Sequence, residues 1–229
     1  MTLDRTLPAD IEAYAEAIGP EPDEILAEMG AQADREGFPY VGPAVGGWLA
    51  TLARLTDARR VFEFGSGFGY SAYWFARELP ADGEVVLTEV DEDELDDARD
   101  YFTRADVAAT ARFELGDAIE TVDEYEGPFD VVLIDNEKHR YAEAFAAARE
   151  KVAPGGVVAA DNAVAGGSID VTDLRAYFEA EGPDSGAAVE MDDMTAGIAE
   201  YVETVRADPA FETVLLPLGE GIAVSHREH

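Results

Sequence analysis

Short apolar runs that alternate with helix-length segments most restrict how this chain can fold. The seven runs that we predict as strands span residues 61–64, 84–89, 111–114, 129–134, 157–160, 213–217 and 222–225. Predicted helices separate the first five runs, at 70–79, 91–104, 118–125 and 138–152. Strands that alternate with helices in this way indicate a mostly parallel sheet with helices on both faces.

The last two predicted strands differ from the others in their connection. Residues 218–221, which join them, are too few for a crossover, so these strands must form an antiparallel hairpin. Before the sheet, residues 9–18, 21–36 and 43–55 have the apolar spacing of helices. The chain therefore begins with helices and ends with a hairpin.

These elements predict a single domain over residues 1–229. Residues 1–56 hold the N-terminal helices, and residues 57–229 hold the core with its seven-stranded sheet. Within the core, residues 165–197 are predicted to be a loop on the substrate side, and 181–197 have the most loop-like composition.

The composition indicates the class of protein. The chain has 229 residues, of which 47% are hydrophobic, enough for the core of one α/β domain. It has no apolar run of about 18 residues and no signal or transit peptide pattern at its start, so we expect a soluble, cytoplasmic protein. Cysteine is absent, which excludes disulfides, thiolate metal sites and a cysteine nucleophile.

The charge of the chain is strongly negative. Asp and Glu number 50 against 16 Lys and Arg, a formal net charge of -34, so phosphate backbones and anionic membranes would be repelled. We expect no nucleic-acid or membrane partner. The acids are spread along the chain and only Lys138 and Lys151 are lysines, a pattern typical of adaptation to a high-salt cytosol. A surface that binds specific cations is the alternative.

A glycine-rich turn follows the first predicted strand directly. Gly65, Gly67 and Gly69 precede a predicted helix, where glycines let the backbone approach a ligand and the helix start favours a negative group. A turn without a ligand is the alternative. The dinucleotide fingerprint requires a third glycine at position 70, where Tyr70 stands, so a nicotinamide-dependent oxidoreductase is disfavoured.

Two acids follow the next strands. Glu89 ends the second predicted strand, 20 residues beyond Gly69, where a carboxylate can accept hydrogen bonds from both hydroxyls of a ribose. Asp117 follows the third strand and either borders an adenine or simply caps the next helix.

Oxygen-bearing side chains follow the fourth and fifth strands. Asp135 comes after the fourth strand, and Asp161 and Asn162 come after the fifth. The carboxyl ends of parallel strands meet at one edge of a sheet, so these side chains should lie together. Two carboxylates and a carboxamide suit Mg²⁺ better than Zn²⁺. Helix caps are the alternative for each acid taken singly.

Together these motifs resemble the cation-dependent O-methyltransferases, which include catechol O-methyltransferase and the caffeoyl-CoA O-methyltransferases. The family motif Asp-x-x-Lys-x-Arg-Tyr followed by Asp-Asn reads here as Asp135, Lys138, Arg140 and Tyr141, then Asp161-Asn162. An acid before Gly-x-Gly-x-Gly, the stretch from Val41 to Gly46 and the ending from Leu216 to Ile222 are also similar. The resemblance covers about residues 21–228 and is weakest over 165–196.

The resemblance implies a Rossmann-like class I methyltransferase fold that binds S-adenosylmethionine together with Mg²⁺ or another divalent cation. The implied cofactor residues are Val41, Glu63, Gly65, Ser66, Gly69, Ser71, Glu89, Asp117 and Asp135. The implied metal ligands are Asp135, Asp161 and Asn162, and Lys138 is the implied proton acceptor. Relatives often form homodimers through their N-terminal helices, so a homodimer is expected.

We therefore predict a divalent-cation-dependent O-methyltransferase that acts on a small catechol-like or hydroxylated acyl substrate. The alternatives are a catalytically silent S-adenosylmethionine-binding protein that acts through partners and, less favoured, the oxidoreductase. The sequence departs from the family after Asp-Asn, because residues 163–167 lack the large side chain that often walls the substrate. Phe38, Tyr40 and Tyr73 either shape the pocket or pack in the core.

Overall fold

One seven-stranded sheet organises the chain in this computed structural model, which describes residues 9–107, 110–180 and 190–228. The strands are β1 (Arg60–Phe64), β2 (Glu84–Glu89), β3 (Thr110–Leu115), β4 (Phe129–Ile134), β5 (Val152–Ala160), β6 (Phe211–Leu216) and β7 (Ile222–Arg227). Their order is β3-β2-β1-β4-β5-β7-β6. Only β7 runs against its neighbours, so the predicted mostly parallel sheet with a C-terminal antiparallel hairpin is confirmed.

Nine described α-helices surround the sheet. They are α1 (Ala9–Ile18), α2 (Glu24–Glu36), α3 (Gly42–Leu55), α4 (Tyr70–Ala76), α5 (Glu92–Ala105), α6 (Ala118–Asp123), α7 (Tyr141–Ala148), α8 (Val171–Glu179) and α9 (Asp193–Ala207). Short 3-10 helices at Lys138–Arg140 and Arg149–Lys151 flank α7, so the single helix predicted over 138–152 is divided into three. None of the described helices is both long and apolar enough to cross a membrane.

Alternate residues of the central strands enter two separate cores. Val61 on β1 packs with residues of α2 to α5, whereas its neighbour Phe62 packs with residues of α6 to α9. On β4, Leu133 and Ile134 divide in the same way. Because successive side chains of a strand point to opposite faces, helices cover both sides of the sheet.

β5 begins five residues earlier than predicted. Residues 154–156 read Pro-Gly-Gly, which normally interrupts a strand, so the sequence predicted only 157–160. In the structure, Val152 pairs with Phe129, and the register shifts before the regular pairing of Val131 with Val157. An irregularity in the ladder therefore accommodates the glycines.

The predicted loop over 165–197 contains helical structure. α8 lies within it, and α9 begins at Asp193, so among the described residues this prediction was wrong in part; 181–189 lie outside them. Asp170 caps α8 and Asp192 caps α9, each by accepting backbone hydrogen bonds from the first turn. Asp170 and Asp192 are therefore helix caps within the segment that was predicted as a loop.

Candidate active site

A cleft of about 1070 Å³ opens at the carboxyl ends of the parallel strands. Ten of the residues predicted for the site line it: Val41, Gly65, Ser66, Ser71, Glu89, Asp117, Asp135, Lys138, Asp161 and Asn162. The chain places them there because parallel strands end at the same edge of the sheet. The described structure therefore brings the glycine-rich turn and the oxygen-rich strand ends into one cavity.

Two predicted cofactor residues, Glu63 and Gly69, lie behind the wall of the cleft and do not line it. The Glu63 side chain is fully buried on β1, beneath the first turn of α4. Gly69 starts α4, and a methyl group added there would meet Ala98 at 3.1 Å and Leu87 at 3.2 Å. Both residues support the turn from the inside of the core.

Gly65 brings the backbone close to the end of β4. Its φ is +78°, a left-handed conformation that favours glycine. A Cβ atom at this position would lie 2.7 Å from the carbonyl oxygen of Asp135. The glycine is therefore required by both conformation and space, and it joins the turn to the Asp135 segment.

The Glu89 carboxylate is held by three backbone N–H groups. Its Oε2 accepts from Gly67 at 2.9 Å, and its Oε1 accepts from Val90 at 2.7 Å and from Asp91 at 3.0 Å. These bonds fix the carboxylate at the end of β2, at the side of the glycine-rich turn. The backbone thus orients this acid before any ligand arrives.

Glu63 forms a buried polar pair with Ser71. The Ser71 hydroxyl donates to Oε1 of Glu63, while Oε2 is buried without a hydrogen-bond partner. Burial raises the pKa of Glu63 to about 8, and the Ser71 hydrogen bond opposes the shift only in part. Ser71 lines the cleft, so Glu63 influences the cleft through this hydroxyl.

Asp117 caps the next helix and also faces the cleft. Its Oδ1 caps α6 by accepting from the Ile119 N–H at 2.8 Å, and the residue also lines the cleft. Arg140 Nη1 lies 2.6 Å from Oδ2, and this hydrogen bond lowers the pKa of Asp117. The ion pair ties the start of α6 to the segment after β4.

Lys138 lies between two polar groups at the end of β4. Its Nζ donates to Asp135 Oδ1 at 2.9 Å and to the Tyr141 hydroxyl at 2.8 Å. Burial raises the pKa of Asp135, against the opposing effect of the Lys138 ammonium. The Tyr141 hydroxyl donates to the carbonyl oxygen of Asp161 at 3.2 Å, so this trio also contacts the end of β5.

Asp161 and Asn162 bring further oxygens to the same place. The Asp161 side chain is buried, and its Oδ1 has no hydrogen-bond partner. Burial, and then the charge of Asp135, raises the pKa of Asp161 to about 8. Asn162 has a left-handed φ of +54°, and its Nδ2 donates to Oε2 of Glu220.

The residues at these strand ends fit a hard divalent cation. Within the described ranges, no three His, Cys, Asp or Glu residues gather as a metal-binding group. The oxygen donors at these strand ends are the carboxylates of Asp135 and Asp161 and the carboxamide of Asn162. All three side chains offer oxygen, the donor that Mg²⁺ prefers. The unpartnered Oδ1 of Asp161 is a buried acceptor that such an ion would satisfy.

Some lining residues were missed or left open by the sequence. Glu220, Met194 and Gly166 also line the cleft. Only Glu220 had a signal, its place in the glycine-flanked hairpin turn. Phe38 and Tyr40 line the cleft, whereas Tyr73 is buried in the core and its hydroxyl lies 3.1 Å from Asp23.

Comparison with known proteins agrees with this geometry. Residues 20–228 match the sequence profile of the family described as O-methyltransferase. The chain is 34% identical over 161 residues to a catechol O-methyltransferase of Niastella koreensis, covering 68% of this chain and 72% of the relative. It is 24% identical over 219 residues to a caffeoyl-CoA O-methyltransferase of Stellaria longipes, covering 92% and 86%.

A solved structure has the same fold. The O-methyltransferase from Bacillus cereus in complex with SAH matches with a TM-score of 0.79 at 24% identity, over 96% of this chain and 97% of that chain. The profile match extends from the end of α1 through the last strand, so it includes the glycine-rich turn and both strand-end motifs. These findings confirm the predicted family: the chain is an enzyme of the S-adenosylmethionine-dependent O-methyltransferase family.

Proposed function

We propose that the chain transfers a methyl group from S-adenosylmethionine to a hydroxyl of a small catechol-like molecule, with the help of a divalent cation. The observation that carries this proposal is the single cleft that holds both the glycine-rich turn and the oxygen-rich ends of β4 and β5. Methyl transfer needs the donor and the acceptor side by side, and this cleft has a wall suited to each.

The glycine-rich side of the cleft is the proposed cofactor site. Bound S-adenosylmethionine supplies an electrophilic methyl group. Gly65 and Ser66 let a ligand lie against the backbone, and the fixed Glu89 carboxylate can accept hydrogen bonds from ribose hydroxyls. Ser71, held by Glu63, offers its hydroxyl oxygen to the cleft, and Val41 at the start of α3 also lines it.

The strand-end side is the proposed metal and substrate site. Asp135, Asp161 and Asn162 would hold a Mg²⁺ ion. Bound there, the ion would lower the pKa of a neighbouring substrate hydroxyl and hold that hydroxyl in position. Lys138 lies beside Asp135, and in its neutral amine form Nζ would accept the hydroxyl proton and become an ammonium. Tyr141 holds the Lys138 amine in place through its own hydroxyl.

The charges of the cleft favour a small catechol over an acyl thioester of coenzyme A. Among the described lining residues, only Lys138 and Arg140 are basic, whereas nine are acidic. Both bases already contact carboxylates, Lys138 at Asp135 and Arg140 at Asp117. The phosphates of a coenzyme A arm would therefore meet repulsion without compensating cations.

The metal assignment is tested with Asp161→Ala. Purified enzyme is supplied with labelled S-adenosylmethionine, a panel of catechols and caffeoyl-CoA, with Mg²⁺ or with excess chelator, in molar salt. We expect methylation of catechols that disappears with chelator and in Asp161→Ala, and that survives in Asp96→Ala, a control on the exposed face of α5. Full activity of Asp161→Ala or in chelator would overturn the metal site, and cofactor binding without any turnover would favour the silent alternative.

Two further expectations concern the setting of the enzyme. The acidic composition supports a protein of a high-salt cytosol, and the proposal places it there without a nucleic-acid or membrane partner. The proposed homodimer draws support from the exposed apolar residues Ile11, Tyr14 and Ile18, which recur on one face of α1. Light scattering after size exclusion, with Tyr14→Ser as the disrupting variant, tests the association.

A further inference from the structure

Backbone hydrogen bonds join the hairpin turn between β6 and β7 to residues 163–165, which directly follow Asp161 and Asn162. The Ala163 N–H donates to the carbonyl oxygen of Gly221 at 2.8 Å, and the Val164 and Ala165 N–H groups donate to that of Glu220 at 3.1 and 2.9 Å. Three backbone hydrogen bonds thus fix the turn against the chain just after Asn162. The position of the Glu220 side chain follows from this attachment.

The carboxamide of Asn162 is turned by that side chain. Nδ2 donates to Oε2 of Glu220, and because the oxygen and the nitrogen of an amide lie on opposite sides, Oδ1 is left directed away from Glu220. A Cβ atom on Gly166 would lie 2.5 Å from Oε2 of Glu220 and 2.8 Å from Nδ2 of Asn162. Only a residue without a side chain leaves room for the pair.

We propose that Glu220 is a positioning residue that makes Asn162 present Oδ1, and not Nδ2, to a divalent cation at Asp135 and Asp161. The inference rests on the proposed metal site. An amide oxygen has lone pairs that can bind a cation, whereas the amide nitrogen carries only hydrogens toward it. Loss of a group that orients a metal ligand typically weakens metal binding about 10- to 100-fold.

The orienting role differs from a simple charge effect in what it requires of Asn162. Glu220 is also an acid near Asp161, and its charge alone would attract a cation whatever residue stands at 162. Orientation matters only while residue 162 is an amide with two unlike ends. In Asn162→Asp both ends are oxygens, so the same cation affinity no longer needs Glu220.

A double-mutant cycle on the full chain tests the inference, with Mn²⁺ binding followed by electron paramagnetic resonance in molar KCl. Glu220→Ala should weaken Mn²⁺ binding about 10- to 100-fold, whereas Glu220→Gln, which keeps an oxygen acceptor, should weaken it less. In the Asn162→Asp background, Glu220→Ala should not weaken binding. Glu212→Ala, an exposed acid on β6, is the matched control and should leave Mn²⁺ affinity unchanged.

Each other result has a distinct meaning. Equal weakening by Glu220→Ala in both backgrounds, or a lower unfolding midpoint with unchanged Mn²⁺ affinity, would overturn the positioning role alone. Failure of the unaltered chain to bind Mn²⁺ would overturn the proposed metal site, and this inference with it. Glu220→Gln keeps the experiment decisive if Glu220→Ala does not fold.

Discussion

The Ser71 hydroxyl donates a hydrogen bond to a Glu63 carboxyl group that has no access to solvent. The pair lies at the junction of β1 and α4, so it connects the buried sheet to a residue of the cleft wall. The second carboxyl oxygen of Glu63 has no partner, which makes the ionised form costly inside the protein. The protonation state of Glu63 therefore bears on the stability of the fold and on the Ser71 hydroxyl at the cleft wall.

This pair makes stability depend on pH in a defined direction. Burial raises the pKa of Glu63 from 4.5 to about 8, so between these values the folded chain retains a proton that the unfolded chain has released. The stability that this proton contributes is fully present below pH 4.5 and is lost as the pH rises to about 8. Glu63→Gln is neutral at every pH, so its free energy of unfolding relative to that of the unaltered chain should rise by about 1 kcal/mol per pH unit within this window.

Chemical unfolding in molar salt at pH 5.5, 6.5 and 7.5 measures that gain. The other acids whose pKa burial raises, Asp135, Asp161 and Glu94, are present in both chains, so their titration cancels from the difference. A difference in unfolding free energy that does not change with pH would contradict the assignment of the proton to Glu63.

The two lysines of the chain offer a matched pair of substitutions. Lys138→Arg should lower turnover by about 10²-fold or more, because a guanidinium does not release its proton and its planar fork does not fit the place of an amine. Binding of S-adenosylmethionine, measured by calorimetry, should change little. Lys151→Arg is the control, since Lys151 binds the carbonyl oxygens of Val122 and Tyr125 away from the cleft. Equal turnover of both variants would remove Lys138 from the proposed chemistry.

Alanine substitutions at two glycines, one in the glycine-rich turn and one inside a helix, should have opposite effects on stability. Gly65→Ala places a methyl group 2.7 Å from the Asp135 carbonyl oxygen at a left-handed φ, so we expect a loss of about 1–2 kcal/mol of stability and at least tenfold weaker cofactor binding. Gly30→Ala, inside α2 with its nearest neighbour at 3.4 Å, should instead stabilise by about 0.5–1 kcal/mol. Thermal unfolding and calorimetry measure both, and normal cofactor affinity in Gly65→Ala would count against the proposed site.

The acidic surface predicts a strong response to salt. At 0.1 M salt the screening length is about 10 Å, and at 1 M about 3 Å, so the repulsion from a net charge of -34 is largely removed only at high salt. We expect the thermal unfolding midpoint to rise by several degrees between 0.1 and 2 M KCl, since about 1 kcal/mol corresponds to about 2–4 °C at this chain length. A neutral osmolyte serves as control, and midpoints that do not respond to KCl would contradict adaptation to high salt.

Much of the fold is readable from neighbouring residues in the chain. Alternation of apolar runs with helix-length segments predicted all seven strands, and the short 218–221 connection predicted the hairpin. The starts of α8 and α9 were harder to predict, because aspartates such as Asp170 and Asp192 are common both in loops and at helix N-caps. Only the packing of the residues that follow distinguishes the two.

The sequence by itself determined which side chains meet at the strand ends, because parallel strands deliver the residues after them to one edge of the sheet. Only the tertiary structure decided whether a residue lines the cleft or lies behind its wall, and which residues distant in the chain contact it. Glu63 has the motif position of a cofactor residue, yet α4 covers it. Glu220 reaches Asn162 across 58 residues of chain because β7 returns beside β5, a contact that no local spacing encodes.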